Sequence, residues 1–354
     1  MEFGVQFFPD VSPATKAAAT YFLESLALSE LAEELGFTHV RTVEHYFDPY
    51  GGYSPNPIVF LSAVAARTRR LRLITGAVLP AFNHPLKLAG EVGMLDGISA
   101  GRCEIGFARA FLPHEFERFG VSLDESRARF DEGLEAVLRL LAEEEVAFGG
   151  RFHSFPSTTS LPRPEQRPTP PIWVAALATP DSFERAGANG FGVMAIPMAG
   201  DRIRQLLDAY RDAWRAAGHP GQGRVMLAFH MFCHEDAAEA ARIARDPLNR
   251  YLKSLVRAAS AWTTGSTSDD YPGYDKIIAR LDTETFESQV ESGAAWVGDP
   301  DTIAARIASF DEEVGRFEIA SLQVNFNDLD YAAARRSLEL FGREVLPRFT
   351  PSPR

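Results

Sequence analysis

Apolar residues along this chain alternate between a period of about two and a period of about 3.6, the marks of strand and helix, and that alternation restricts the folds open to it. Residues 3–8 read as a strand, after which Leu28, Leu31 and Leu35 share a helical face that excludes Glu24, Glu30 and Glu34. Gly36 closes that helix as a C-terminal glycine does. A strand at 38–43, a helix at 59–67 and a strand at 71–79 follow; Leu88, Val92 and Leu95 form the next helical stripe, and 102–107 is again strand-like. Ser122 and Glu125 have capping-box spacing before a helix with Leu134, Val137, Leu138 and Leu141 on one face. Residues 146–155 read as a hairpin and 161–171 as a Pro-rich arm. The rhythm resumes with strands at 172–176, 192–196, 225–232 and 321–326 and helices at 199–217, 236–256, 301–313 and 330–346, one of them opened by Asp299-Pro300. That makes eight strands. Residues 258–292 lack the rhythm and read as an insertion over the substrate. Alternating units with right-handed crossovers close as an eight-stranded barrel or lie open as a doubly wound sheet, and periodicity does not choose.

With 36 basic and 48 acidic residues the net charge is −12, and no long Lys/Arg cluster offers a polyanion a footprint, so nucleic acid is a poor partner. Cys103 and Cys233 alone supply no disulfide framework, which suits a reducing compartment. No secretory leader and no apolar run of the ~20 residues that span a bilayer is visible, so the expectation is a cytoplasmic protein without a membrane partner.

Chemistry concentrates at strand ends. Glu44, His45, Tyr46 and Phe47 follow the second strand, where a β/α protein opens into its active-site mouth, and His45 is the first catalytic candidate, with structural hydrogen bonding as its alternative. Thr179-Pro180-Asp181-Ser182 starts a helix directly after a strand, a place for an anion or for ordinary self-capping; Arg109 and Arg127 decide if they converge there. Gly97-Ile-Ser99-Ala-Gly101 matches a serine elbow in letters but follows a helix and precedes a strand, the wrong order. His230 and His234 stand about 13 Å apart on a strand, too far for one metal. No Walker A run or strand-led G-x-G-x-x-G is present. His84 either caps the next helix or lines the pocket.

Glu44-His45-Tyr46-Phe47, Thr75-Gly-Ala-Val-Leu-Pro80 with Asn83-His84-Pro85, Gly106 with Arg109, Ser126-Arg127-Ala128-Arg129-Phe130 and Val297-Gly-Asp-Pro-Asp301 occur in the order seen in bacterial luciferase-like flavin monooxygenases, and the resemblance spans nearly the whole chain. It implies a single-domain (β/α)8 TIM barrel over 1–354 with 258–292 as a lid, usually a homodimer, that takes reduced FMN from a separate flavin reductase and uses O2 as co-substrate. It implies a catalytic role for His45; the adjacent Glu44 is the candidate to fix its tautomer through a bridging group, although neighbours on a strand point to opposite faces. Arg109, Arg127, Ala178, Thr179 and Ser182 match the phosphate cradle, and Thr75 and Gly76 match a non-prolyl cis peptide under the flavin ring. Phe7, Phe8, Tyr46, Phe111 and Trp262 are the expected apolar lining for a bulky, polycyclic or polyketide-like substrate. No metal is implied. Departures are Ala108 where luciferase has a thiol, Tyr46 where it has a second histidine, and Ala176-Leu-Ala178 where the family often has Gly-Gly-Ser. A relative using the deazaflavin F420 for hydride transfer and a non-catalytic flavin-binding protein are the rival expectations.

Overall fold

A computed structural model describes residues 1–177, 179–197 and 200–349. β1 (Glu2–Phe7), β2 (His39–Thr42), β3 (Arg72–Thr75) and β4 (Cys103–Phe107) are joined by α1 (Ala18–Glu34), α2 (Pro57–Arg67) and α3 (Pro85–Ser99). Then come α4 (Pro113–Phe119), α5 (Ser126–Ala142) and a hairpin of β5 (Val146–Gly149) and β6 (Ser154–Thr158). β7 (Ile172–Ala175), α6 (Pro180–Ala188), β8 (Gly192–Ala195), α7 (Gly200–Ala216), β9 (Val225–Cys233) and α8 (Ala237–Ala258) continue the alternation. The segment expected to lack rhythm is helical: α9 (Ala261–Thr264), α10 (Tyr274–Leu281) and α11 (Phe286–Ser292). β10 (Ala295–Gly298), α12 (Pro300–Glu313), β11 (Ile319–Gln323) and α13 (Tyr331–Glu344) complete the chain.

All pairings in the main sheet are parallel, and the order β1-β2-β3-β4-β7-β8-β9-β11 returns to β1. The choice left open by periodicity is therefore settled as a closed eight-stranded barrel. β10 is a ninth strand absent from the sequence count, lying along the far half of β9 from His230 to Cys233. The outward residues Val5, Val40, Leu73, Ile105, Val193, Leu227 and Leu322 are fully buried against the helices. Each contributes about 1.5–3 kcal/mol of burial, which makes this interface the main core.

Inside the barrel, a small apolar cluster of Ile74, Trp173, Met194, Met226 and Ile319 sits among polar side chains. At the N-terminal end the buried Glu104 accepts from Arg72 Nε and Trp173 Nε1, with Arg224 3.6 Å away. This plug closes that end, so a site has to form at the opposite mouth.

Several local expectations shift. Ser122 caps a short 3-10 turn and not the following helix. β3 stops at Thr75, well short of 79, and β11 is 319–323 where 321–326 was expected. The cis peptide falls at Gly76–Ala77 and not at Thr75–Gly76. Gly76 N still donates to Thr42 O at 2.7 Å, so the bond before it stays in the ladder.

Candidate active site at the barrel mouth

Successive residues on an extended chain point to opposite sides, and that separates Glu44 from His45. Glu44 turns toward the segment after β3, where Oε1 accepts from Tyr46 Oη (2.5 Å) and Asn83 Nδ2 (2.7 Å) and Oε2 accepts from Leu79 N (3.1 Å). It is 3% exposed, and burial pushes its carboxyl up to about 7 against the opposing pull of those three donors. Its position makes it a fastener of the β3–α3 connection, and it does not reach the imidazole. Expected as a catalytic partner, Glu44 is corrected here on geometry.

The carboxylate beside His45 is Glu115, from the first turn of α4. Glu115 Oε1 lies 3.1 Å from His45 Nδ1 and accepts from Tyr46 N at 2.8 Å, and its side chain is fully buried. Such a partner places the Nδ1 proton and leaves Nε2 for an incoming group. Phe8, Tyr50 and Phe111 surround the ring at centroid distances of 5.4, 5.7 and 6.0 Å. Gly51 closes the back: at φ +85° it suits glycine, and a Cβ would sit 2.5 Å from that of His45. Sequence reasoning missed Glu115 because nothing local links it to a residue 70 positions earlier.

The basic candidates gather on the segment 258–292. Arg109 Nη1 donates to Asp270 O at 2.8 Å, and its guanidinium stacks 4.8 Å over Tyr271. Arg127 donates its main-chain N to Asp270 Oδ2 at 2.9 Å, and its Nη1 to Asp181 Oδ2, also 2.9 Å, in the first turn of α6. Arg109, Arg127 and the start of α6 are thus brought together. Thr179 is the N-cap residue of α6 but makes no side-chain bond to the helix amides; its hydroxyl pairs with Ser182 Oγ at 2.8 Å. The threonine hydroxyl therefore does not cap the helix, whereas its carbonyl accepts from Ser182 N at 3.1 Å. Ala178 lies outside the described residues. The hydroxyl of Thr75 donates to Gly106 O and accepts from Gly106 N, so it is engaged in the β3–β4 ladder.

Of the expected lining, Phe8 and Phe111 flank His45. Trp262 docks through Nε1 to Phe111 O at 2.7 Å and packs on Tyr271 and Tyr274. Tyr46 faces away, into a cluster with Phe47, Phe82 and Phe119, because its hydroxyl is held by Glu44. Phe7 points outward onto Phe60. His84 caps α3, accepting from Leu86 N at 3.3 Å, and Ser99 is buried against Asp96 O. No helix of the described residues is long and apolar enough to cross a membrane.

Residues 1–316 match the family model of luciferase-like monooxygenases. The chain is 30% identical to the oxygenase component of the flavin-dependent trigonelline monooxygenase of Acinetobacter baylyi, over 93% of this chain and 90% of that protein. The crystal structure of the monooxygenase RslO1 from Streptomyces bottropensis superposes with a TM-score of 0.88 at 45% identity, covering 99% of this chain and 100% of that one. The oxygenating constituent of 3,6-diketocamphane monooxygenase from Pseudomonas putida, solved with FMN, shares the fold at TM-score 0.83 and 23% identity, over 99% of both chains. The barrel agrees with these matches, and the chain belongs to the luciferase-like monooxygenase family.

Proposed function

We propose that this protein is the oxygenase component of a two-component monooxygenase that uses reduced FMN and O2 to oxygenate a bulky apolar substrate. The observation that carries the reading is the pairing of His45 with the buried Glu115 beside an aromatic wall, while two guanidiniums and an uncapped helix start gather on the next strands of the same mouth. These residues fit FMN: Arg109, Arg127, Ser182 and the α6 amides would hold its phosphate. When bound, the reduced flavin supplies the electrons that activate O2. The chain's own part is to orient, to exclude water and to move a proton. With Glu115 fixing Nδ1, His45 Nε2 is the atom that gives or takes a proton at the reacting oxygen. Phe8 and Phe111 make the surroundings apolar, and 258–292, anchored through Trp262 and Asp270, acts as the lid that keeps water out.

A separate reductase as electron source agrees with the naming of the trigonelline relative as an oxygenase component and with the lack of a nicotinamide fingerprint in this sequence. Leu23, Val59, Met94 and Ile98, exposed on α1, α2 and α3, support a homodimer through those helices. A polycyclic natural product suits the aromatic lining.

Anaerobic titration with reduced FMN and with reduced deazaflavin, followed by O2 uptake, tests the reading. FMN binding and substrate-stimulated O2 consumption are expected; binding of deazaflavin alone, or of neither, would end it.

A further inference from the structure

Four polar side chains stand beside one another inside the barrel, below the mouth. Strand register pairs His230 of β9 with Gln323 of β11, Gln323 with Gln6 of β1, and Gln6 with Arg41 of β2. Arg41 Nη1 reaches across to Met226 Sδ at 3.8 Å, which fixes the shared face as the interior. Each of the four keeps one buried atom without a hydrogen-bond partner: His230 Nε2, Gln323 Oε1, Gln6 Oε1 and Arg41 Nε. Gln6, Arg41 and Gln323 are 7%, 9% and 1% exposed. Folded proteins pair nearly all such groups, so four adjacent exceptions call for a missing partner. Among the described residues Arg41 meets no carboxylate. Burial lowers it to about 10, so it stays a cation at neutral pH, and a buried cation without compensation is costly.

The row also has a defined place. It occupies the seventh, eighth, first and second strands of the barrel, whereas Arg109 and the start of α6 hang from the fourth and fifth, the opposite wall. Arg41 packs against Gly76, where a Cβ would lie 2.2 Å from Arg41 Nε. A ligand holding its anion at the one wall meets this row with its other end.

Resting on the flavin reading above, we propose that the row receives the edge of the flavin ring that alternates two carbonyl oxygens with an N–H. Arg41 and the Nε2–H tautomer of His230 donate to the carbonyls, and a glutamine carboxamide accepts the N–H. Amide orientation at Gln6 and Gln323 adapts to that pattern. Three of the four unpartnered atoms then find complements, both donors and one of the two carboxamide oxygens, and Arg41 is a positioning residue for the ring.

Quenching of flavin fluorescence, measured on the full chain with FMN, riboflavin and N3-methyl-FMN, tests this. The wild type is expected to bind N3-methyl-FMN about tenfold or more weakly than FMN, since the methyl group removes the donor and leaves a buried acceptor unpaired. Arg41→Met should weaken FMN and riboflavin by the same factor, because it acts on the ring, and Arg41→Lys should recover part of the loss. Equal wild-type affinity for FMN and N3-methyl-FMN overturns the assignment without requiring any variant to fold. Unchanged riboflavin binding in a folded Arg41→Met protein does the same. A wild type that binds neither oxidised FMN here nor reduced FMN in the anaerobic titration refutes the function reading instead, so the two failures are distinguishable.

Discussion

Glu44 sets burial against hydrogen bonding, and the sign of the outcome is measurable. Three donors converge on its carboxylate and favour the ionised form, yet burial is the larger effect and raises the carboxyl from the usual 4.5 to about 7. At about 1.4 kcal/mol for each tenfold change in acid constant, the difference corresponds to about 3 kcal/mol. The folded state holds its proton where the unfolded chain has lost it. Stability from this group is therefore fully present below pH 4.5, falls as the pH rises toward 7, and is lost above that. Glu44→Gln removes the titration, although its amide facing Leu79 N lowers stability at every pH by about 1–3 kcal/mol. Urea unfolding of both proteins at several pH values between 4.5 and 8 isolates the effect. The stability of the wild type relative to Glu44→Gln should decline by about 3 kcal/mol over that range. A relative stability that rises with pH would mean that the three donors outweigh burial, and the reasoning would fail.

Other consequences can be checked separately. His45→Ala should lower turnover by about 10²- to 10⁴-fold, the range typical of losing a general acid or base. Glu115→Gln should cost less and displace the pH profile of kcat; an unmoved profile would detach Glu115 from the imidazole's chemistry. Arg127→Ala should weaken FMN by about tenfold while sparing riboflavin, which has no phosphate to lose. Asp270→Ala removes the bonds to Arg127 N and Ser126 Oγ, so trypsin should cut at Lys276 and Arg280 faster than in the wild type; equal rates would show that Asp270 does not anchor the segment 258–292.

The eight barrel strands were legible because each carries an apolar outward face between helix signals, as at Val5, Val40 and Leu322. β10 escaped because four residues after an irregular stretch give no period to read. The helices at 261–292 escaped because they are short and their apolar residues pack on the mouth and not on a long continuous face. His45, Arg109 and Arg127 were legible as residues at strand ends and helix starts. Glu115 was not, since its pairing with His45 exists only once α4 folds back over the end of β2. Tyr46 was misplaced for a related reason: alternation sends it to the side of Glu44, and only the hydroxyl bond reveals the direction. The row of His230, Gln323, Gln6 and Arg41 depends on strand register, which no single segment encodes.

On the barrel side, the segment 258–292 docks largely onto peptide carbonyls: Trp262 Nε1 on Phe111 O and Tyr271 Oη on Ala110 O. Arg109 in turn leans on the carbonyl of Asp270 and not on its side chain. A carbonyl acceptor survives exchange of the residue that bears it. Position 111 can therefore be varied beside His45 while the docking of 258–292 is retained, which makes it a first choice for testing other substrates.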